Sequence, residues 1–180
     1  MKQYYSEYGE DKWIDENLVM LGGGRYLDIG AAHPSRGSNT AFLRDKDWEG
    51  ISVDADPIWQ QFWRPGKLLT AIVSPHPKVG FDFNPTDPQL SRVDYAKKHK
   101  DAIPIMQLCS PIMPDFISID VEGHECDVMS GIDYMAHGPR VIVAEYNTKG
   151  IGEDFRLRDL LLSNGYRVVH QTVANLIYVR

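Results

Sequence analysis

Short apolar runs alternate along the chain with segments whose apolar residues recur at helical spacing. This alternation predicts an α/β fold with a mainly parallel central sheet, because parallel strands need a crossover segment, usually a helix, between them. RYLDIGA (25–31), GISVDAD (50–56), KLLTAIV (67–73), DFISIDV (115–121) and RVIVAEY (140–146) read as its five strands. YRVVHQTV and ANLIYVR read as a C-terminal antiparallel hairpin. Trp13, Ile14, Leu18 and Leu21 place a first helix over 9–20, ended by Gly22-Gly23-Gly24. Ser38-Asn39-Thr40 offers N-cap residues for TAFLRDKDW, and Asp56 with Pro57 suits the start of PIWQQFW. HECDVMSGI reads as a short helix, and FRLRDLLLSNG as an amphipathic one ending at Gly165. The Pro-rich stretch 74–88 reads as loop or edge hairpin, DPQLSRVDYAKKHK as a polar surface helix, and AIPIMQL as an edge segment.

Composition narrows the function. The 180 residues suffice for one domain with a full core, with 1–21 as an N-terminal helical segment. A net charge of -6 opposes a nonspecific grip on nucleic acid, which needs many cations facing phosphates. No apolar run is long enough for a membrane span, and the polar start MKQYYSEYGEDKW lacks a signal-peptide core. Two cysteines, Cys109 and Cys126, are too few for a disulfide scaffold, so a cytoplasmic setting is expected.

In open α/β sheets ligands bind outside the carboxyl ends of the strands. Four strands deliver polar groups there: Asp28 and Gly30, Asp54 and Asp56, Asp120 and Glu122, and Glu145 with Asn147. Buried carboxylates must be paired or hydrogen-bonded, so this rim calls for a cationic or hydroxyl-rich ligand, or a metal. S-adenosylmethionine (SAM) offers an ammonium, a sulfonium and a ribose diol, and no phosphate. Gly30 would admit its methionine part closely or make a tight turn, and Asp54 would accept from the ribose hydroxyls. NAD fits poorly, since the loop GAAHPSRG lacks the GxGxxG that holds a pyrophosphate.

GGGRYLDIGAAHPSRGSNTAFL, GISVDADP, DFISIDVEGHE and RVIVAEYN, in this order and spacing, resemble the FkbM-type SAM-dependent methyltransferases. The N-terminal YSEYGEDKWI is similar to the segment preceding the fold in many members. The resemblance implies a Rossmann-like class I methyltransferase fold and O-methylation of a sugar or small molecule. It puts Asp28 and Gly30 in the first SAM loop, Asp54 on the ribose, and Asp120 to Glu125 on the family signature. One departure is His33-Pro34, where that loop often carries an acid and a glycine.

The expected cofactor site comprises Asp28, Gly30, Ala31, Ser38, Asn39, Asp54, Ala55, Val73, Ser74 and Asp120. Two catalytic arrangements fit the fourth and fifth strands. Asp120, Glu145 and Asn147 could gather a hard divalent ion such as Mg²⁺. Alternatively His124 or Glu122 acts as base beside Asp120. The acids near HECDVMSGI also suit a helix start without any catalysis. Tyr4, Tyr5, Tyr8 and Trp13 form either a lid or a helix packed on the sheet. The rival functions are a non-catalytic SAM-fold scaffold and an NAD-linked oxidoreductase.

Overall fold

The computed structural model describes residues 2–18, 23–136, 138–148 and 152–180. In chain order the elements are α1 (Glu10–Asn17), β1 (Arg25–Ile29), α2 (Ala41–Arg44), β2 (Glu49–Asp54), β3 (Leu68–Thr70), β4 (Ile72–Val73) and β5 (Lys78–Asp82). There follow β6 (Arg92–Val93), β7 (His99–Ile103), α3 (Ile105–Cys109), β8 (Phe116–Ile119), α4 (Glu125–Met129) and β9 (Val141–Glu145). The chain ends with β10 (Asn147–Thr148), β11 (Gly152–Glu153), α5 (Arg156–Ser163), β12 (Arg167–Gln171) and β13 (Asn175–Val179). Two 3₁₀ turns, Pro57–Phe62 and Pro88–Leu90, complete the set.

The main sheet has the order β12-β13-β9-β8-β1-β2-β3. The five strands from β9 to β3 are parallel, and β13 runs antiparallel to both β9 and β12. Its central strands bury both faces, so successive residues enter different cores. Leu27, Ile117 and Ile142 meet Leu108, Met129 and Leu161 of the helices on one face. Tyr26, Phe116 and Val143 meet Ile14, Phe42 and Leu43 on the other. Each such side chain contributes roughly 1.5–3 kcal/mol by leaving water. Among the described residues no helix is long and apolar enough to cross a membrane.

Four expectations change. The first helix covers only Glu10–Asn17, and 19–22 lie outside the described residues. KLLTAIV divides: Leu68–Thr70 closes the main sheet, whereas Ile72–Val73 pairs with β7 in a second sheet of order β4-β7-β5-β6. The stretch 87–100 forms a 3₁₀ turn and strands rather than a polar helix. Gly80 explains this, since a Cβ there would lie 2.0 Å from the Asp94 carbonyl oxygen; the pairing rests on a close non-local approach that local propensity does not encode. AIPIMQL is no edge: it ends β7 and then forms α3, whose Ile105 and Leu108 are buried.

Candidate active site

The carboxyl ends of β1, β2, β8 and β9 open on one cavity of about 500 Å³, lined by Asp28, Gly30, Asp54, Asp120 and Glu145. Beyond Asp54 its wall turns apolar, with Ala55, Ile72, Val73, Phe81 and Leu90.

The loop after β1 is held rigidly. Asp54 receives the Ala32 N–H at 2.9 Å on one oxygen and the Asp56 N–H at 2.8 Å on the other. Burial outweighs these bonds and raises its carboxyl to about 6. Trp63 Nε1 donates to the Ala32 carbonyl at 2.8 Å, which fixes Ala32 at a φ of 42°. His33 Nδ1 accepts the Ser35 and Arg36 N–H groups at 3.1 and 3.0 Å, and Arg44 donates to the Pro34 carbonyl. Burial and then the Arg36 charge lower the His33 pKa, consistent with a neutral ring that accepts at Nδ1. His33-Pro34 thus builds the loop by its own means. Asp28 is buried, accepts from Thr40 Oγ1 at 2.6 Å, and has its proton affinity raised by that burial.

The floor is acidic. Asp120, Glu122 and Glu145 come from two strand ends and the loop after β8, and each offers a carboxylate oxygen within 4.8 Å of the others. Asp120 keeps surface open to the cavity, yet protein packs round its carboxyl. Burial first, then the charges of Glu145, Glu125 and Glu122, hold its pKa well above the usual range, and it shares a hydrogen bond with Glu145. Burial and Glu145 raise Glu122 to about 7. Like charges this close cannot all ionise, so the floor retains protons near neutrality.

The family model for the methyltransferase FkbM domain matches residues 28–168. The chain belongs to this family. A comparison with curated proteins gives no significant match. Among solved structures the chain is similar to precorrin-6y C5,15-methyltransferase from Geobacter metallireducens GS-15, at 14% identity over 94% of this chain and 87% of that one, with a TM-score of 0.55. That likeness speaks to the fold, a Rossmann-like class I methyltransferase fold.

Of the expected cofactor residues in this FkbM domain, all but Ser74 line the cavity. Ser74 is buried behind it, 3.4 Å from His124 Nε2. His124 lines the cavity but has both ring nitrogens engaged, since Nδ1 lies 3.0 Å from Asp127 Oδ2. Burial lowers its pKa, outweighing the Asp127 charge, which raises it. The ring thus bridges Ser74 and Asp127 at the cavity edge. Asn147 lines the cavity, and its amide donates to the Val173 carbonyl at 3.2 Å; Glu122 joins Asp120 and Glu145 in the oxygen cluster. Gly30 also has another reason than ligand approach. At φ 79° its absent Cβ would sit 1.7 Å from the Asp120 carbonyl oxygen, so the close contact is between two strand ends.

The N-terminal segment is both packed and part of the wall. Trp13 stacks on His170 with centroids 4.5 Å apart, while Glu7, Tyr8 and Glu10 line the cavity. Two buried acids that the sequence reading missed fix it. Asp11 accepts from the Ser6 hydroxyl at 2.6 Å and from the Tyr5 N–H, and Glu10 accepts from Thr172 Oγ1 at 2.8 Å and Asn175 Nδ2 at 2.9 Å. Their only sequence signal is the run GED at a helix start.

Proposed function

We propose that this FkbM domain binds SAM in the cavity and methylates a hydroxyl of a sugar or other small molecule, in the cytoplasm. One observation carries the reading: Asp28, Asp54 and Asp120 open on a single cavity rather than on separate surfaces. The ribose diol suits Asp54, the adenine suits the apolar wall of Ala55, Val73 and Phe81, and the cationic portion suits the acidic floor. Bound SAM would supply an electrophilic methyl on sulfonium, for transfer to the acceptor oxygen with S-adenosylhomocysteine as the leaving group. The protein holds the reactants in line. The floor takes the hydroxyl proton, with Glu122 or its partners Asp120 and Glu145 as acceptor. Family membership removes the oxidoreductase reading.

The test pairs calorimetry with S-adenosylhomocysteine and product detection on a hydroxyl acceptor panel. Asp54→Ala is expected to weaken binding by roughly 1–3 kcal/mol, the scale for a hydrogen bond to a charged group. Unchanged affinity removes Asp54 from the site; binding without product on any acceptor favours a scaffold role.

A second reading comes from the oxygen cluster itself. Asp120, Glu122 and Glu145 fit the donor preference of a hard divalent cation, which would lower the pKa of a bound hydroxyl. Under that reading EDTA abolishes activity and Mg²⁺ restores it. Full activity in EDTA leaves the carboxylates as the base.

A further inference from the structure

We propose that Glu125 is a positioning residue that holds Glu122 at the cavity floor, an inference that rests on the methyl-transfer reading for its kinetic arm only. Glu122 has a φ of 56°, a left-handed conformation that a residue with a Cβ rarely adopts without support. The support is visible. Glu125 is buried at 4% exposure, and its Oε1 accepts the Val121 N–H at 2.8 Å and the Gly123 N–H at 3.2 Å. One carboxylate oxygen therefore grips the peptides on both sides of the Val121-Glu122 pair. The first of those peptides carries the Asp120 carbonyl on its other side, and that oxygen rests against Gly30. The peptide is pinned from two directions, by Gly30 at its C=O and by Glu125 at its N–H.

The pattern in the sequence has a physical meaning on this reading. In DVEGHE, Asp120 and Glu122 face the cavity, Gly123 takes a φ of 94°, and Glu125 turns back to close the loop. The second glutamate of the signature acts through the first, without touching the reactants.

Because both bonds run to a single acceptor oxygen, an amide can replace the carboxylate. Glu125→Gln is expected to keep kcat within about threefold of the parent, while Glu125→Ala loses at least about tenfold in kcat with S-adenosylhomocysteine affinity changed by less than about threefold. In a Glu122→Ala background, adding Glu125→Ala is expected to change the residual rate by less than about twofold, the mark of residues acting as one unit. Hydrogen exchange supplies an arm independent of catalysis: the Val121 and Gly123 amides lose protection in Glu125→Ala and keep it in Glu125→Gln. Should Glu125→Ala fail to fold, Glu125→Gln and its exchange decide alone. The proposal is overturned if Glu125→Gln is as impaired as Glu125→Ala, if Glu125→Ala lowers the rate further without Glu122, or if the two amides keep their protection in Glu125→Ala. A parent protein that binds no S-adenosylhomocysteine and makes no product overturns the methyl-transfer reading instead, and leaves the exchange arm to judge Glu125.

Discussion

Gly30→Ala is expected to destabilise the protein by roughly 2–5 kcal/mol, measured by urea unfolding against the parent. Two costs combine. A left-handed φ of 79° is unfavourable for any residue with a Cβ, at about 1–2 kcal/mol. The new methyl would also lie 1.7 Å from the Asp120 carbonyl oxygen, a backbone atom that cannot swing aside. To relieve the overlap β1 and β8 must part at the cavity end, where their ladder also pairs Ile29 with Ile119. Gly165→Ala is the matched control, because Gly165 has a φ of 84° and nothing within 4 Å of its would-be Cβ. It carries the conformational cost alone. Equal losses in the two variants would mean that the Asp120 contact yields easily, and that Gly30 is required only for its turn.

The sheet was legible because its central strands bury both faces and end on polar groups. RYLDI, FISI and VIVAE are near-continuous apolar runs, and the acids fall just where each run stops. The second sheet was not legible, because β5, β6 and β7 owe their pairing to one another across the chain. Nothing within 87–100 announces that Gly80 will receive the Asp94 carbonyl. The candidate site divides in the same way. Asp28, Asp54, Asp120 and Glu145 could be assigned to one rim from strand order alone. That Glu122 joins the oxygen cluster depends on a left-handed turn, and turn geometry of this kind leaves only the weak signal of a following glycine. His124 reads as a base because imidazole titrates near neutrality; Asp127, three residues on, is its local helical neighbour, whereas Ser74 reaches it only once α4 packs beside β4.

The largest effect on catalysis is expected at the floor. Glu122→Gln and Asp120→Asn, each nearly isosteric, should lower kcat by about 10²–10⁴-fold, the range for losing a positioned proton acceptor. The pH profile distinguishes this role from mere packing. Burial and the Glu145 charge raise Glu122 to about 7, so its proton-accepting form becomes the majority only above that pH. The rate of the parent should therefore climb as pH rises through about 7 and then level, and the limb should shift or flatten in Glu122→Gln. Stability moves in the opposite sense. A carboxyl raised in the folded state binds its proton more tightly there than in the unfolded chain, where 4.5 is usual for Glu122. The stabilisation is complete below that value and is lost as pH climbs through about 7. The unliganded protein should thus lose stability from this cluster over the same interval in which it gains activity. A cationic methyl donor bound above the floor favours the ionised carboxylates, so it should recover part of that loss at high pH. Thermal unfolding with and without SAM, measured on either side of neutrality, tests the coupling. A stabilisation by SAM that does not grow with pH would separate the donor from the acidic floor.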